Sequence, residues 1–161
     1  MKDIVYITES EAKSVYWRIV EKFMASGDPI RLAGLMSLDK LQAAVERPKT
    51  GFGSHEHFPC VYTKAACYAH SIITTHPYRD GNKRAAMETA FAFLAKNRVM
   101  VEVSSEQYVQ AALYVAEHKW DLQQLATWLM RYSRPYTDWF DAHLQQVDKD
   151  GKFQQKRYPW R

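Results

Sequence analysis

HPYRDGNKR, residues 76–84, packs an imidazole, a carboxylate, a glycine, an amide and adjacent cations into nine positions. The segments on either side decide the fold around it. Upstream, Ala65, Ala66, Ala69, Ile72 and Ile73 repeat at helical spacing from Tyr62 to Thr75, and their small size predicts a helix that neighbours can approach closely. Downstream, Ala86, Ala90, Phe91, Phe93 and Leu94 predict a second buried helix running to about Asn97. The nine residues are therefore a short polar loop between two core helices, a place where a sequence concentrates chemistry rather than packing.

The second helix opens where Gly81 allows a left-handed turn or a close approach of backbone to a ligand. Its first N–H groups have no partner within the helix and carry partial positive charge, so Gly81, Asn82, Lys83 and Arg84 form a cradle suited to phosphate. Lys83 and Arg84 add full charges and Asn82 a neutral donor. Asp80 is placed to hold Mg²⁺, an ion that usually takes one or two carboxylates and completes its shell with phosphate oxygens. His76, at the mouth of the loop, is the expected general base, because imidazole titrates near neutral pH. The missing upstream glycine and the missing Ser/Thr after Lys83 exclude a P-loop.

Working outward, Thr8 and Glu11 make a capping box, followed by Ala12, Val15, Tyr16, Ile19, Val20 and Phe23 at helical spacing until Gly27. A shorter helix from about Ser37 to Glu46 buries Leu38, Leu41 and Val45 and stops before Pro48. Residues 47–59 have two Gly, two Pro and no helical period, which predicts an exposed loop or hairpin. Past Asn97, Val99 to Val103 read as a short strand, Ser104 and Gln107 cap a helix through Val115, and Asp121 and Gln124 open a last helix ending near Ser133 and Pro135. These elements predict a mainly α domain over residues 1–133 and a basic, aromatic tail over 134–161.

Composition narrows the function classes. The chain has 161 residues, enough for one domain with a real core, and 47% hydrophobic content with six Gly and six Pro excludes a disordered protein. Of the net charge of +4, the segment 147–161 carries most, with five Lys/Arg against two Asp, so the body is near neutral and lacks the basic face that nucleic-acid binding needs. The N-terminal stretch has early charges and no signal-like apolar core, and no apolar run approaches spanning length, which predicts a cytoplasmic protein without a membrane segment. Cys60 and Cys67 are then expected as reduced thiols.

The nine-residue stretch resembles the HPFxDGNKR motif of the Fic/Doc proteins, in the version found in death-on-curing toxins. The likeness extends to the YITESEA opening, AVERP with FG after it, KAACYAH and FLAKN, covering roughly residues 4–133. It implies a Fic-fold helical bundle with a short β-hairpin flap. In that family's pattern His76 is the base, Asp80 the Mg²⁺ ligand, Gly81, Asn82, Lys83 and Arg84 the binders of ATP phosphates, and a flap over about Arg47 to Pro59, including Thr50, Gly51, Phe52 and Gly53, docks the protein substrate. The AMP-transferring branch carries glycine and arginine where this chain has Lys83 and Met87. A lysine there crowds and re-charges the phosphate nest, which favours the toxin-like branch, whose known type phosphorylates a hydroxyl of elongation factor Tu. That type protein has alanine at the position of Gly81, so AMP transfer from the same site stays open as an alternative, and a non-catalytic binding module is the reading from a different class. Self-restrained members carry an inhibitory helix with Ser/Thr, then Glu, then Gly or Asn. The nearest stretch, Thr137 to Asp141, has the wrong acid and is followed by Ala142, so the resemblance implies a separate antitoxin protein as partner.

Other features carry less. His55 and His57 flank Glu56 but lack further metal ligands at suitable spacing. His70 reads as packed and His118 as solvated. DKDG at 148–151 fails as a calcium loop because Gln146 and Arg157 fall where acids are required. The tail KRYPWR reads as a partner-binding or packed terminus ahead of an RNA contact.

Overall fold

The computed structural model describes residues 3–135. The Thr137–Asp141, DKDG and KRYPWR readings lie outside these residues. Six α-helices account for most of the described chain: α1 Glu9–Met24, α2 Leu38–Glu46, α3 Val61–Thr75, α4 Asn82–Lys96, α5 Ser105–Ala116 and α6 Leu122–Arg131. The mainly α expectation holds. Two small antiparallel pairs complete it, β1 Gly51–Phe52 with β2 His55–Glu56, and β3 Val99–Val101 with β4 Ser133–Pro135. No helix among the described residues is long and apolar enough to cross a membrane.

Local rules set most boundaries. Thr8–Glu11, Ser104–Gln107 and Asp121–Gln124 all form reciprocal capping boxes, each satisfying two otherwise orphaned N–H groups. Ser37 caps α2, and a 3-10 turn at Arg47–Lys49 with Pro48 at its start ends it. Two differences stand out. α1 ends at Met24 rather than continuing to Gly27, and the strand expected over Val99 to Val103 is limited to the three residues that find partners, Val99↔Pro135, Met100↔Arg134 and Val101↔Ser133. β4 thereby runs past the residue 133 at which the sequence reading closed the core.

α3 is the central rod, packed against α2, α4, α5 and α6. Ala65, Ala66 and Ala69 have no exposed surface, so neighbouring helices close directly onto its backbone. α1 lies across α4 and brings Tyr16 under the 76–84 loop, where its ring stacks on Tyr78 with centroids 3.9 Å apart. Such a pair adds about 0.5–1.5 kcal/mol beyond the area it buries. Its value here is positional, because it fixes the loop's underside to the core. Cys60 and Cys67 are both free thiols, the first exposed and the second buried.

Candidate active site

The loop 76–84 is built as two helix ends facing a tight turn. α3 ends at His76, whose backbone is left-handed at φ 51 and whose side chain is exposed. α4 begins after Gly81, also left-handed at φ 80. There the glycine is required twice over: an L side chain rarely adopts that φ, and a Cβ would sit 2.7 Å from Ile30 Cδ1. The first intrahelical bond is donated by Ala85 N–H to Gly81 at 2.9 Å, so the N–H groups of Asn82, Lys83 and Arg84 precede it and lie at the positive end of the helix.

Asn82 differs from its expected part. It is buried, its Oδ1 accepts from Tyr78 N–H at 3.0 Å and its Nδ2 donates to the Tyr78 carbonyl at 2.8 Å. The amide braces the turn, which leaves the backbone N–H of Asn82 as the group able to face a ligand. Asp80 is exposed, with Oδ1 accepting from Gly81 N–H at 2.6 Å and Oδ2 from Arg31 N–H at 3.2 Å. Lys83 is exposed and half-buried Arg84 pairs with Asp28 while its guanidinium lies 4.0 Å from the centroid of Phe23.

The sequence reading missed the segment that holds this loop, residues 25–37 between α1 and α2. Met36 and Ser37 N–H groups donate to Pro77 O at 2.8 and 3.1 Å, Arg79 N–H donates to Gly34 O at 2.9 Å, and Leu35 bridges Tyr78. Tyr16 ties strap and loop together, its hydroxyl donating to Asp80 O and accepting from Gly34 N–H, both at 3.0 Å. Burial pushes the Tyr16 and Tyr78 phenols up, so both stay neutral donors.

Beyond Arg84, a groove of about 400 Å³ opens between the end of α1, α4 and α5, lined by Phe23, Lys83, Arg84, Glu88, Tyr108 and Leu113 among others. Burial raises the Glu88 carboxyl above its ordinary range, and the charge of Lys22 opposes the shift only in part. The Tyr108 hydroxyl donates to Arg84 O at 3.2 Å, tying α5 to the first turn of α4.

Thr50 closes the base of the β1–β2 hairpin, where its carbonyl accepts from His57 N–H at 3.1 Å, while Gly51, Phe52 and Gly53 run out to the turn, with Phe52 83% exposed. Gly51 is needed for pairing, since a Cβ there would meet His55 O at 2.5 Å. Glu56 is drawn onto Lys64 and His57 Nδ1 lies 3.3 Å from Thr50 Oγ1, so the flap histidines do not assemble a metal site with it. No group of three or more metal-ligating side chains occurs among the described residues. His70 packs in α3, and burial lowers its pKa.

The protein described as Toxin Doc from Mycolicibacterium smegmatis is 38% identical over 61 residues, which cover 38% of this chain and 47% of that protein. The aligned stretch thus spans about half the length of that relative. The model of the Fic/DOC family matches residues 6–94, a span that takes in α1, the strap, the flap, α3, the 76–84 loop and nearly all of α4. Because that match covers more than half of the chain and contains the 76–84 loop with the helices on either side of it, the chain belongs to the Fic/DOC family.

Proposed function

We propose that this chain is a toxin-like transferase that moves the terminal phosphate of ATP to a hydroxyl side chain of a target protein, with elongation factor Tu as the first candidate. The observation that carries the proposal is the juxtaposition, within one turn, of an exposed imidazole at the end of α3 and the unpaired N–H groups that open α4. His76 takes the proton from the attacking hydroxyl as its oxygen bonds to the γ-phosphorus. The bond from that phosphorus to the β,γ-bridging oxygen breaks, and ADP leaves with the electron pair. The N–H groups of residues 82–84, with Lys83 and Arg84, hold the phosphates and offset the charge that moves onto the bridging oxygen.

One exposed carboxylate beside a helix N-terminus fits a divalent cation shared with phosphate oxygens, so Asp80 would hold Mg²⁺. Bound there, the ion would supply charge neutralisation to the phosphates. The base contributes about two to four powers of ten in rate, and positioning and charge supply the rest.

Lys83, where the AMP-transferring branch has glycine, favours phosphoryl transfer, and a relative described as Toxin Doc supports the toxin reading and a separate antitoxin partner. Gly81 favours the second reading, AMP transfer from the same site. The test is incubation of the full chain with Mg²⁺, purified elongation factor Tu and then bacterial lysate, using ATP labelled at the α or the γ phosphate. Protein labelled from γ alone is the expected result. Label from α establishes AMP transfer, and no label from either, with folded protein, establishes a non-catalytic module.

A further inference from the structure

We propose that Lys64 is a positioning residue that sets the stance of the flap relative to His76, and so governs use of the protein substrate rather than of ATP. The inference rests on the reading of the hairpin as the substrate-docking flap. Every residue from Thr50 to His57 is exposed, and the paired strands are two residues each, so the hairpin has no apolar face with which to hold itself in place. Its position has to come from its stalks.

Lys64 grips both. Its Nζ donates to the carbonyl of Pro48 on the outgoing stalk at 3.3 Å and pairs with Glu56 Oε2 on the returning one at 2.8 Å. The Tyr6 ring lies 5.3 Å away on a further side. The Lys64 side chain is 2% exposed, and an ammonium so far from water cannot release its carboxylate cheaply. Glu56 itself is 55% exposed and would be well solvated elsewhere, so the pull is from the buried partner. A second fastening supports the first: Arg47 donates to Ser71 Oγ at 3.1 Å and its guanidinium lies 5.8 Å from the centroid of Phe58, at the foot of the same hairpin.

The helix that supplies Lys64 also ends at His76. Twelve residues of unbroken α3 separate them, about 18 Å at 1.5 Å per residue, so flap tether and base share one rod. A buried ion pair is weak evidence for stability, since apolar replacements of similar volume are often neutral. Position is what this pair controls. An acceptor hydroxyl carried by the flap has to arrive within hydrogen-bond reach of His76, and a displacement of about 1 Å can cost on the order of a hundredfold in rate.

The experiment compares the full chain with Glu56→Gln, Lys64→Met and the double variant. Hydrogen exchange of amides 50–57 should quicken at least tenfold in each, with exchange in α4 unchanged. With the protein acceptor of the labelling experiment, kcat/KM should fall at least tenfold while ATP affinity is retained, and the double variant should be no worse than Lys64→Met alone. Unchanged exchange at 50–57 in Glu56→Gln overturns the proposal, as does an equal loss of ATP affinity. Glu56→Gln removes the pairing charge yet leaves an amide oxygen that can accept from the buried Lys64 Nζ, so it decides the matter even if Lys64→Met fails to fold. If the unmodified chain labels no protein, the phosphotransferase reading falls, and the exchange measurement still decides whether Lys64 sets the flap.

Discussion

Replacing His76 by alanine and by glycine should separate its chemical role from its backbone role. The residue closes α3 in the left-handed region, at φ 51 and ψ 65. That conformation costs an L side chain roughly 1–2 kcal/mol, a penalty histidine tolerates better than most and glycine escapes. Glycine gives back about 0.4–1 kcal/mol through its freer unfolded chain, so His76→Gly should be more stable than His76→Ala by about 1 kcal/mol. For a chain of this size that is a melting-temperature difference of about 2–4 °C, in the direction opposite to the usual ranking of the two residues in helices. Both variants remove the imidazole, and both should lose about two to four powers of ten in single-turnover γ-phosphate transfer, or roughly 3–5.5 kcal/mol of barrier. ATP affinity should hold, because the proposed phosphate cradle lies at the other end of the loop. Thermal melts, labelled transfer and calorimetric ATP titration read the three quantities separately. A glycine variant that melts below the alanine variant would refute the backbone account, and transfer within tenfold of the parent in either would refute the base.

Three further outcomes follow from the same geometry. Asn82→Ala strands the buried Tyr78 N–H and C=O and should cost about 1–3 kcal/mol, read as a lower melting temperature with faster exchange across 77–81. Asp28→Asn removes the carboxylate that occupies Arg84; an exposed pair of this kind is worth about 0.2–1 kcal/mol, so ATP should bind up to about fivefold tighter, with a gain that shrinks in high salt. Glu88 has its pKa raised by burial, so the folded chain keeps a proton that the unfolded chain releases, and ionisation costs stability as pH rises through the folded value. Glu88→Gln should therefore raise the melting temperature at neutral pH, with the gain vanishing towards about pH 4, where both forms are protonated; a gain that grows on acidification would show the sign to be wrong.

What could be read from the sequence was what short-range rules encode. The capping boxes at Thr8, Ser104 and Asp121 each need only a residue and its third neighbour, and all three form. The flap was legible because Pro48, Gly51 and Gly53 punctuate it, and the α3 rod because alanines recur on its surface. β4 was not, since Ser133, Arg134 and Pro135 have little strand preference of their own and are extended only because β3 offers them a partner. Asn82 looked like a ligand donor because an amide beside a phosphate nest usually is one. The tight turn leaves the buried N–H and C=O of Tyr78 without a backbone partner, and these claim the amide first.

The strap over residues 25–37 marks the limit of such reading. It bonds to the loop through the backbone N–H groups of Arg31, Met36 and Ser37 and the carbonyl of Gly34, groups that every residue or nearly every residue carries. No side-chain pattern announces them. The motif therefore states which chemical groups are present, while their orientation is imposed from elsewhere: by Tyr16 on α1 beneath Asp80, by Tyr108 on α5 against Arg84, and by Ile30 against Gly81. A phosphate site gains from being held in shape before its ligand arrives, since donors already aimed need no reorganisation when charge develops. Nine residues in a loop could not supply that rigidity, and two helices and a strap do.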